Sequence, residues 1–148
     1  MKLSPFFVAT TVAVLATLGF NSGCASTDSR LIGTWKSNRK LTLPTFPNRE
    51  QLTSDKRAFF DSIFGKLRVT YATRQMTMEL PGESGAPPFR QSCAYRLSSF
   101  DADSVTIVHP DAVTGKQTST VVHFDGPSRY WVAVGEKGGR EYFDRVVE

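Results

Sequence analysis

The sequence has few of the residues that build covalent cross-links or metal sites. Its 148 residues include two cysteines and two histidines. So few cysteines exclude a disulfide framework and a zinc site built from cysteines. No His, Asp and Glu residues stand at metal-ligating spacing, and no serine stands in a nucleophile elbow. We therefore predict no catalytic residues, no enzymatic activity, no metal and no cofactor.

We interpret both histidines and one cysteine as residues without a catalytic role. His109 and His123 lie at the ends of predicted strands. Asp125 could orient His123 as a base, but we interpret both histidines as strand-end residues that face solvent or a loop. Cys93 alternates with polar neighbours in a predicted strand. That pattern is typical of a small buried apolar side chain rather than a reactive thiol.

The sequence also lacks a dense basic cluster. Lysine and arginine number 18 against 14 acidic residues, for a formal net charge of +4, and they are scattered along the chain. Proteins that follow a nucleic-acid backbone concentrate their basic residues on one face. We therefore predict no nucleic-acid partner, and at most a weak attraction to an anionic membrane surface.

The longest apolar run is too short to cross a bilayer. It covers the 15 residues from Phe6 to Phe20. At about 1.5 Å per residue, a helix of that length falls well short of the ~30 Å hydrocarbon core. The positive Lys2 precedes the run and small residues follow it, which is the layout of a secretory signal peptide. We predict a signal peptide over residues 1–23.

The end of this segment leaves two processing routes open. The stretch from Asn21 to Cys24 resembles a bacterial lipobox, although a leucine is usual at the position of Asn21. By that resemblance, Cys24 is lipidated with palmitate and anchors the protein. Because Ala25 is not an aspartate, the resemblance implies an outer-membrane anchor, with the protein facing the periplasm. The alternative is cleavage after Ala25, which leaves a soluble periplasmic or secreted protein.

The rest of the chain is predicted to be a short tether and one β-rich domain. Residues 24–30 are small and polar, as in a flexible tether. Over residues 31–148, short runs of alternating apolar and polar residues are separated by turn residues, which predicts about eight half-buried strands. We expect these strands over residues 31–37, 66–71, 75–80, 90–99, 104–109, 117–124, 129–135 and 140–147.

One helix is predicted between the first two strands, over about residues 54–64. Thr53 or Ser54 is a suitable N-cap, and Gly65 a suitable C-terminal stop. The spacing places four apolar side chains on one face, where they would cover a barrel mouth or wall. These residues are Phe59, Phe60, Ile63 and Phe64.

The predicted fold class is mainly β, an antiparallel up-and-down barrel. Short turns between strands require antiparallel pairing, because parallel strands need a long crossover. An open sheet of so many strands would expose two edges, and closure into a barrel removes them. A sandwich is the alternative arrangement.

The motif Gly33-x-Trp35 on the first strand resembles the opening signature of the lipocalin-like (calycin-type) barrels. In that superfamily the Trp closes one barrel end and packs against an Arg near the last strand, a role that Arg145 would fill here. The larger layout resembles small bacterial lipoproteins with a lipocalin-like domain, loosely over residues 31–148. Lipocalins usually carry their helix after the barrel strands, whereas here it follows the first strand.

The barrel interpretation predicts a binding protein. A barrel of this size is either packed solid or holds one small ligand, and we expect a small hydrophobic ligand. Met and Tyr suit an adaptable apolar site, so the predicted ligand-binding residues are Tyr71, Met76, Met78, Tyr95 and Tyr130. We expect a monomer. The alternative is a protein-binding or inhibitor module of the cell envelope, which would use loops such as Pro81–Phe89.

Overall fold

The computed structural model describes residues 27–82, 87–135 and 138–147. The predicted signal peptide and the Cys24 lipidation site lie outside the described residues, as does part of the Pro81–Phe89 loop. Both assignments therefore stay predictions. Within the described ranges, none of the helices has the length and apolar character needed to span a membrane.

Within residues 27–147, as far as the structure describes them, nine strands form a single antiparallel sheet. Their alternating burial follows the period-two pattern of the sequence, with one row of side chains turned inward and the next outward. The strands are β1 Gly33–Ser37, β2 Arg68–Tyr71, β3 Gln75–Leu80, β4 Phe89–Ala94, β5 Arg96–Phe100, β6 Ser104–Pro110, β7 Gln117–Phe124, β8 Arg129–Val134 and β9 Gly139–Arg145.

The sheet curls into a nearly closed up-and-down barrel. Its strand order is β4-β3-β2-β1-β9-β8-β7-β6-β5, so the first strand pairs with the last. The two edge strands, β4 and β5, are consecutive in the chain. The predicted fold class, a mainly β antiparallel barrel with a helix between the first two strands, is confirmed.

The described part of the chain has nine strands rather than about eight, because the segment predicted as one strand over 90–99 forms two. The break falls at Tyr95, whose side chain turns into the core. Its backbone N–H donates to the Arg74 carbonyl at 3.1 Å, and its hydroxyl donates to the Ala72 carbonyl at 2.8 Å. These bonds hold the chain at a corner, so β4 and β5 cannot continue as one strand.

Two α-helices and two 3₁₀ turns lie between β1 and β2, at one end of the barrel; we call residues 38–64 the cap. The predicted helix is confirmed as α2, Ser54–Ile63. The sequence did not indicate the shorter α1, Arg39–Thr42, which begins where the Asn38 side chain accepts a hydrogen bond from the Leu41 N–H. The 3₁₀ turns are Leu43–Thr45 and Arg49–Gln51.

The start of the cap is tied to the last strand by hydrogen bonds. The Asn38 N–H donates to the Tyr142 carbonyl at 2.7 Å, and the Tyr142 N–H donates to the buried Thr42 hydroxyl at 3.0 Å. The Thr45 hydroxyl accepts from the Arg140 N–H at 2.8 Å and also donates to the Arg140 carbonyl at 2.9 Å. These bonds fix residues 38–45 against β9.

Candidate functional site

One end of the barrel is sealed by Trp35 and Arg145. Trp35 is fully buried, and its indole N–H donates to the Leu31 carbonyl at 2.7 Å. The two residues face each other across β1 and β9, and the guanidinium carbon lies 4.2 Å from the centre of the indole ring. At that distance a cation–π contact stabilises the pair.

The guanidinium of Arg145 is also surrounded by backbone carbonyls. It donates to Ile32 at 2.7 Å, to Arg30 at 2.6 Å and to Pro127 at 3.2 Å. Gly33 makes room for it, because a Cβ there would lie 2.9 Å from a guanidinium nitrogen. The charge is therefore satisfied by groups that also hold the chain entering β1.

The structure places four of the five predicted ligand-binding residues in the packed core beside Trp35. Tyr71, Tyr95, Tyr130 and Met76 are buried, and Met78 packs against them from a half-buried position. The ring of Tyr71 lies 5.6 Å from that of Tyr95 and 6.4 Å from that of Tyr130. Burial raises the pKa of Tyr71 to about 12. None of the five lines a surface pocket described below, and their binding role stays a prediction.

Polar groups enter the interior toward the cap. Glu141 is buried on β9, and its Oε1 accepts a hydrogen bond from the Ser37 hydroxyl at 2.7 Å. Burial raises the pKa of this carboxyl, while the bond from Ser37 opposes the shift. On β4, the Gln91 side-chain oxygen is buried and has no hydrogen-bond partner among the described residues. The barrel interior therefore contains hydrogen-bond acceptors as well as apolar side chains.

Three aromatic rings pack together beneath the cap. The ring of Phe46 lies 4.6 Å from that of Phe60 and 4.9 Å from that of Phe64. Phe46 also packs on Gly139 at the start of β9, where a Cβ would lie 2.3 Å from the ring. The predicted apolar helix face therefore covers the barrel end through Phe60 and Phe64. The side chain of Phe59 lies outside what the structure describes.

A pocket of about 310 Å³ opens between this aromatic cluster and the end of β8; we call it the cap pocket. Its apolar lining comes from Phe46, Pro47, Leu52, Phe60, Val134 and Gly139. Pockets of about 300–1,000 Å³ with an apolar lining and a few polar groups are typical of small-molecule sites. The cap pocket has the size and chemistry of such a site at its lower limit.

The polar rim of the cap pocket is set by Arg49 and Asn48. Both oxygens of Asp61, on α2, accept from Arg49 Nη2 at 2.7 Å. This bond holds the pKa of the Asp61 carboxyl below its usual range. Asn48 adopts a positive φ of 64°, which turns the chain back toward α2. The ion pair therefore fixes the rim to the helix.

The reactive side chains considered from the sequence show no catalytic arrangement in the part of the chain that the structure describes. His123 stacks on Trp131 at 3.9 Å, and His109 lies within hydrogen-bond distance of the Thr120 hydroxyl at 3.0 Å. Cys93 is half-buried, and burial raises the pKa of its thiol, which disfavours the reactive thiolate. Within the described ranges, no three His, Cys, Asp or Glu side chains come together as a metal site.

Sequence reasoning missed the cap pocket because its main residues lie outside the periodic segments. Phe46 stands between two prolines, in a stretch with neither helical nor strand periodicity. An aromatic residue fixed in this way and followed by a predicted apolar helix face is the one signal that could have indicated it. Gly139, which lies beneath Phe46, follows Gly138 in the sequence and carries no signal beyond that of a turn glycine.

Comparison with known proteins does not assign the chain to a family. No family model matches, and no curated protein matches the sequence. Among solved structures, the chain is similar to a fatty acid binding protein of Schistosoma mansoni in complex with arachidonic acid. The two share 15% sequence identity, with a TM-score of 0.42, over 82% of this chain and 100% of that one.

Proposed function

We propose that the protein is a non-catalytic binding protein for a small hydrophobic molecule, held in the cap pocket. The observation that carries this proposal is the open, largely apolar pocket of about 310 Å³ beside Phe46 and Phe60. Moving apolar surface from water into such a pocket contributes about 25 cal/mol per Å² buried. The polar groups of Arg49 and Asn48 at the rim would orient a ligand that has one polar end.

The cellular setting that we propose is the envelope of a two-membrane bacterium. Support comes from the signal-peptide layout of residues 1–23 and from the lipobox-like segment that ends at Cys24. The predicted tether over residues 24–30 would hold the barrel close to its membrane. Seven fully extended residues span at most about 25 Å, and the reach is shorter here because Arg30 donates to the Asp101 carbonyl of the barrel at 2.8 Å. The proposed ligand would then be a molecule of the envelope.

Filling the cap pocket tests the binding site. In Leu52→Trp, an indole would occupy space that a ligand needs. We expect this variant to bind the uncharged fluorescent probe N-phenyl-1-naphthylamine at least about tenfold more weakly, a change of about 1.4 kcal/mol. The matched control is Val121→Trp, which adds the same ring at a position on β7 that is 41% exposed and outside the pocket. The control should bind as the wild type does.

A third variant separates the cap pocket from the barrel interior. Met78→Trp adds bulk to the inner wall, among the residues predicted from the sequence. If Met78→Trp abolished probe binding and Leu52→Trp did not, the ligand would lie inside the barrel and the cap-pocket site would be wrong. If neither variant changed binding, the proposal of a hydrophobic ligand in this barrel would fail.

The alternative of a protein-binding module receives no specific support from the described surface. Its exposed large hydrophobic residues are dispersed over strands, a turn and the C-terminal segment rather than gathered at one barrel end. They are Phe89, Phe100, Val113, Val121 and Val147. Single exposed apolar side chains are normal on a soluble protein, and a docking patch is contiguous.

A further inference from the structure

A row of charged side chains crosses the outer face of the barrel at right angles to the strands. From β8 to β4 it consists of Arg129, Asp144, Lys36, Arg68, Glu79 and Arg90, each opposite the next in the strand register. Opposite charges that face each other across strands stabilise a sheet, and like charges destabilise it. Four of the five facing pairs are opposite in charge; the fifth, Lys36 with Arg68, is a like-charge pair.

Both acidic residues of the row bind side chains other than those of Lys36 and Arg68. Asp144 accepts from Arg129 Nε at 2.7 Å and from the Asn38 side chain at 2.5 Å. Glu79 is paired with Arg90 at 3.3 Å. Lys36 and Arg68 therefore face each other, both exposed and with no ion-pair partner among the described side chains. A bound anion would compensate their repulsion.

An open groove of about 520 Å³ lies over this like-charge pair. Lys66 and Arg90 add positive charge to its lining, and Glu79 is its single acid. At the β3–β4 end the lining turns apolar, with Leu80 and with Phe89, which is 42% exposed. Cations beside exposed apolar groups match a ligand that combines a negative group with a hydrocarbon part.

We propose that this groove docks onto an anionic phospholipid surface, with Lys36 and Arg68 on a headgroup phosphate and Phe89 at the boundary of the acyl chains. The groove is open and lies on the outer face of the barrel, so it can reach a headgroup that stays in its bilayer. Basic residues near an anionic bilayer contribute about 1 kcal/mol each, and aromatic side chains insert at the interface. This proposal is independent of the cap pocket.

Vesicle binding with charge variants tests the proposal. The full chain carries Cys24→Ser in every sample, so that no acyl anchor contributes. Binding is measured at low salt to phosphatidylcholine vesicles with and without phosphatidylglycerol; pure phosphatidylcholine gives the contribution of the apolar N-terminal segment. The site variant is Lys36→Gln with Arg68→Gln. The control is Arg74→Gln with Lys116→Gln, which removes the same charge from exposed positions outside the groove.

The expected result is a preference for phosphatidylglycerol that falls about fivefold for each groove cation removed and stays nearly unchanged in the control. Lys36→Gln alone should reduce the preference by about fivefold, the effect of one cation. Far-UV circular dichroism should show that every variant is folded. An equal loss in both double variants would assign the effect to net charge and overturn the site. So would the absence of a preference for phosphatidylglycerol. Competition by inorganic phosphate without any vesicle binding would reassign the groove to a free anion and refute membrane docking.

Discussion

Replacing Trp35 by alanine tests whether the sealed end holds the barrel together. The indole is fully buried, its ring meets that of Tyr130 edge-on at 4.8 Å, and Arg145 lies over its face at 4.2 Å. Deleting a large buried aromatic residue costs about 3–5 kcal/mol, from lost transfer free energy and the cavity left behind. The variant also loses the hydrogen bond to the Leu31 carbonyl.

The cavity should collapse only partly, because Arg145 cannot move into it easily. Its guanidinium keeps three carbonyl acceptors at residues 30, 32 and 127, and leaving them would unpair a half-buried charge. We therefore expect Trp35→Ala to lower the free energy of unfolding by about 4 kcal/mol. That is a large share of the 5–15 kcal/mol by which typical domains are stable.

Urea denaturation monitored by far-UV circular dichroism measures this loss. The midpoint should fall while the slope with urea stays constant, since the native surface changes little. The control is Trp131→Ala, because Trp131 is half-buried on the outer face, where it stacks on His123 and beneath Arg140. The free energy of unfolding should fall clearly less in this control than in Trp35→Ala. A loss below about 1 kcal/mol for Trp35→Ala would contradict a plug at the barrel end, for which a buried aromatic costs several times more.

Three further outcomes follow from the structure. Glu141→Gln should stabilise the fold at neutral pH: burial raises the pKa of Glu141 above its unfolded value, so stability present at low pH is lost as the carboxyl ionises with rising pH. Urea melts should show that the free energy of unfolding increases at neutral pH and that this increase disappears below about pH 4. An equally large increase at that pH would rule out ionisation of Glu141 as its cause. A double-mutant cycle of Lys36→Gln and Arg68→Gln in low salt should show a repulsive coupling of about 0.2–1 kcal/mol, with Arg129 and Asp144 as an attractive control; attraction between the two cations would be inconsistent with their facing geometry. Cys24→Ser should release the protein from membranes and abolish palmitate labelling; a variant that still fractionates with membranes would show that the lipobox interpretation is wrong.

The strands and α2 could be predicted because their signals are local. Alternation along β2 and β3 and the three- to four-residue spacing of Phe60, Ile63 and Phe64 follow from which side of each element is buried. The division at Tyr95 could not be predicted, since it depends on bonds to residues 72 and 74, which belong to a different hairpin. Alternation continues across that corner and therefore does not mark it.

The candidate site was less predictable than the fold. Inward-facing residues such as Tyr71 and Met76 could be recognised from the two-residue alternation of their strands. That alternation does not distinguish a core side chain from one that contacts a ligand. The pairing of Phe46 with Gly139 joins residues 93 positions apart through a close contact that no local pattern encodes. The charged row has the same origin, because only the strand register places Lys36 opposite Arg68.

The two ends of the barrel are closed by different chemistry, and this difference favours the cap as the entry route for the proposed ligand. At the sealed end, moving Arg145 would remove the carbonyl acceptors from a half-buried charge, which costs free energy. At the cap, Phe46, Phe60 and Phe64 meet through apolar contact alone. An apolar ligand can replace one ring's contacts with its own and leave no polar group unpaired. The hydrogen bonds of Thr42 and Thr45 fix the first part of the cap to β9, so we expect the proposed ligand to displace contacts from Phe46 onward.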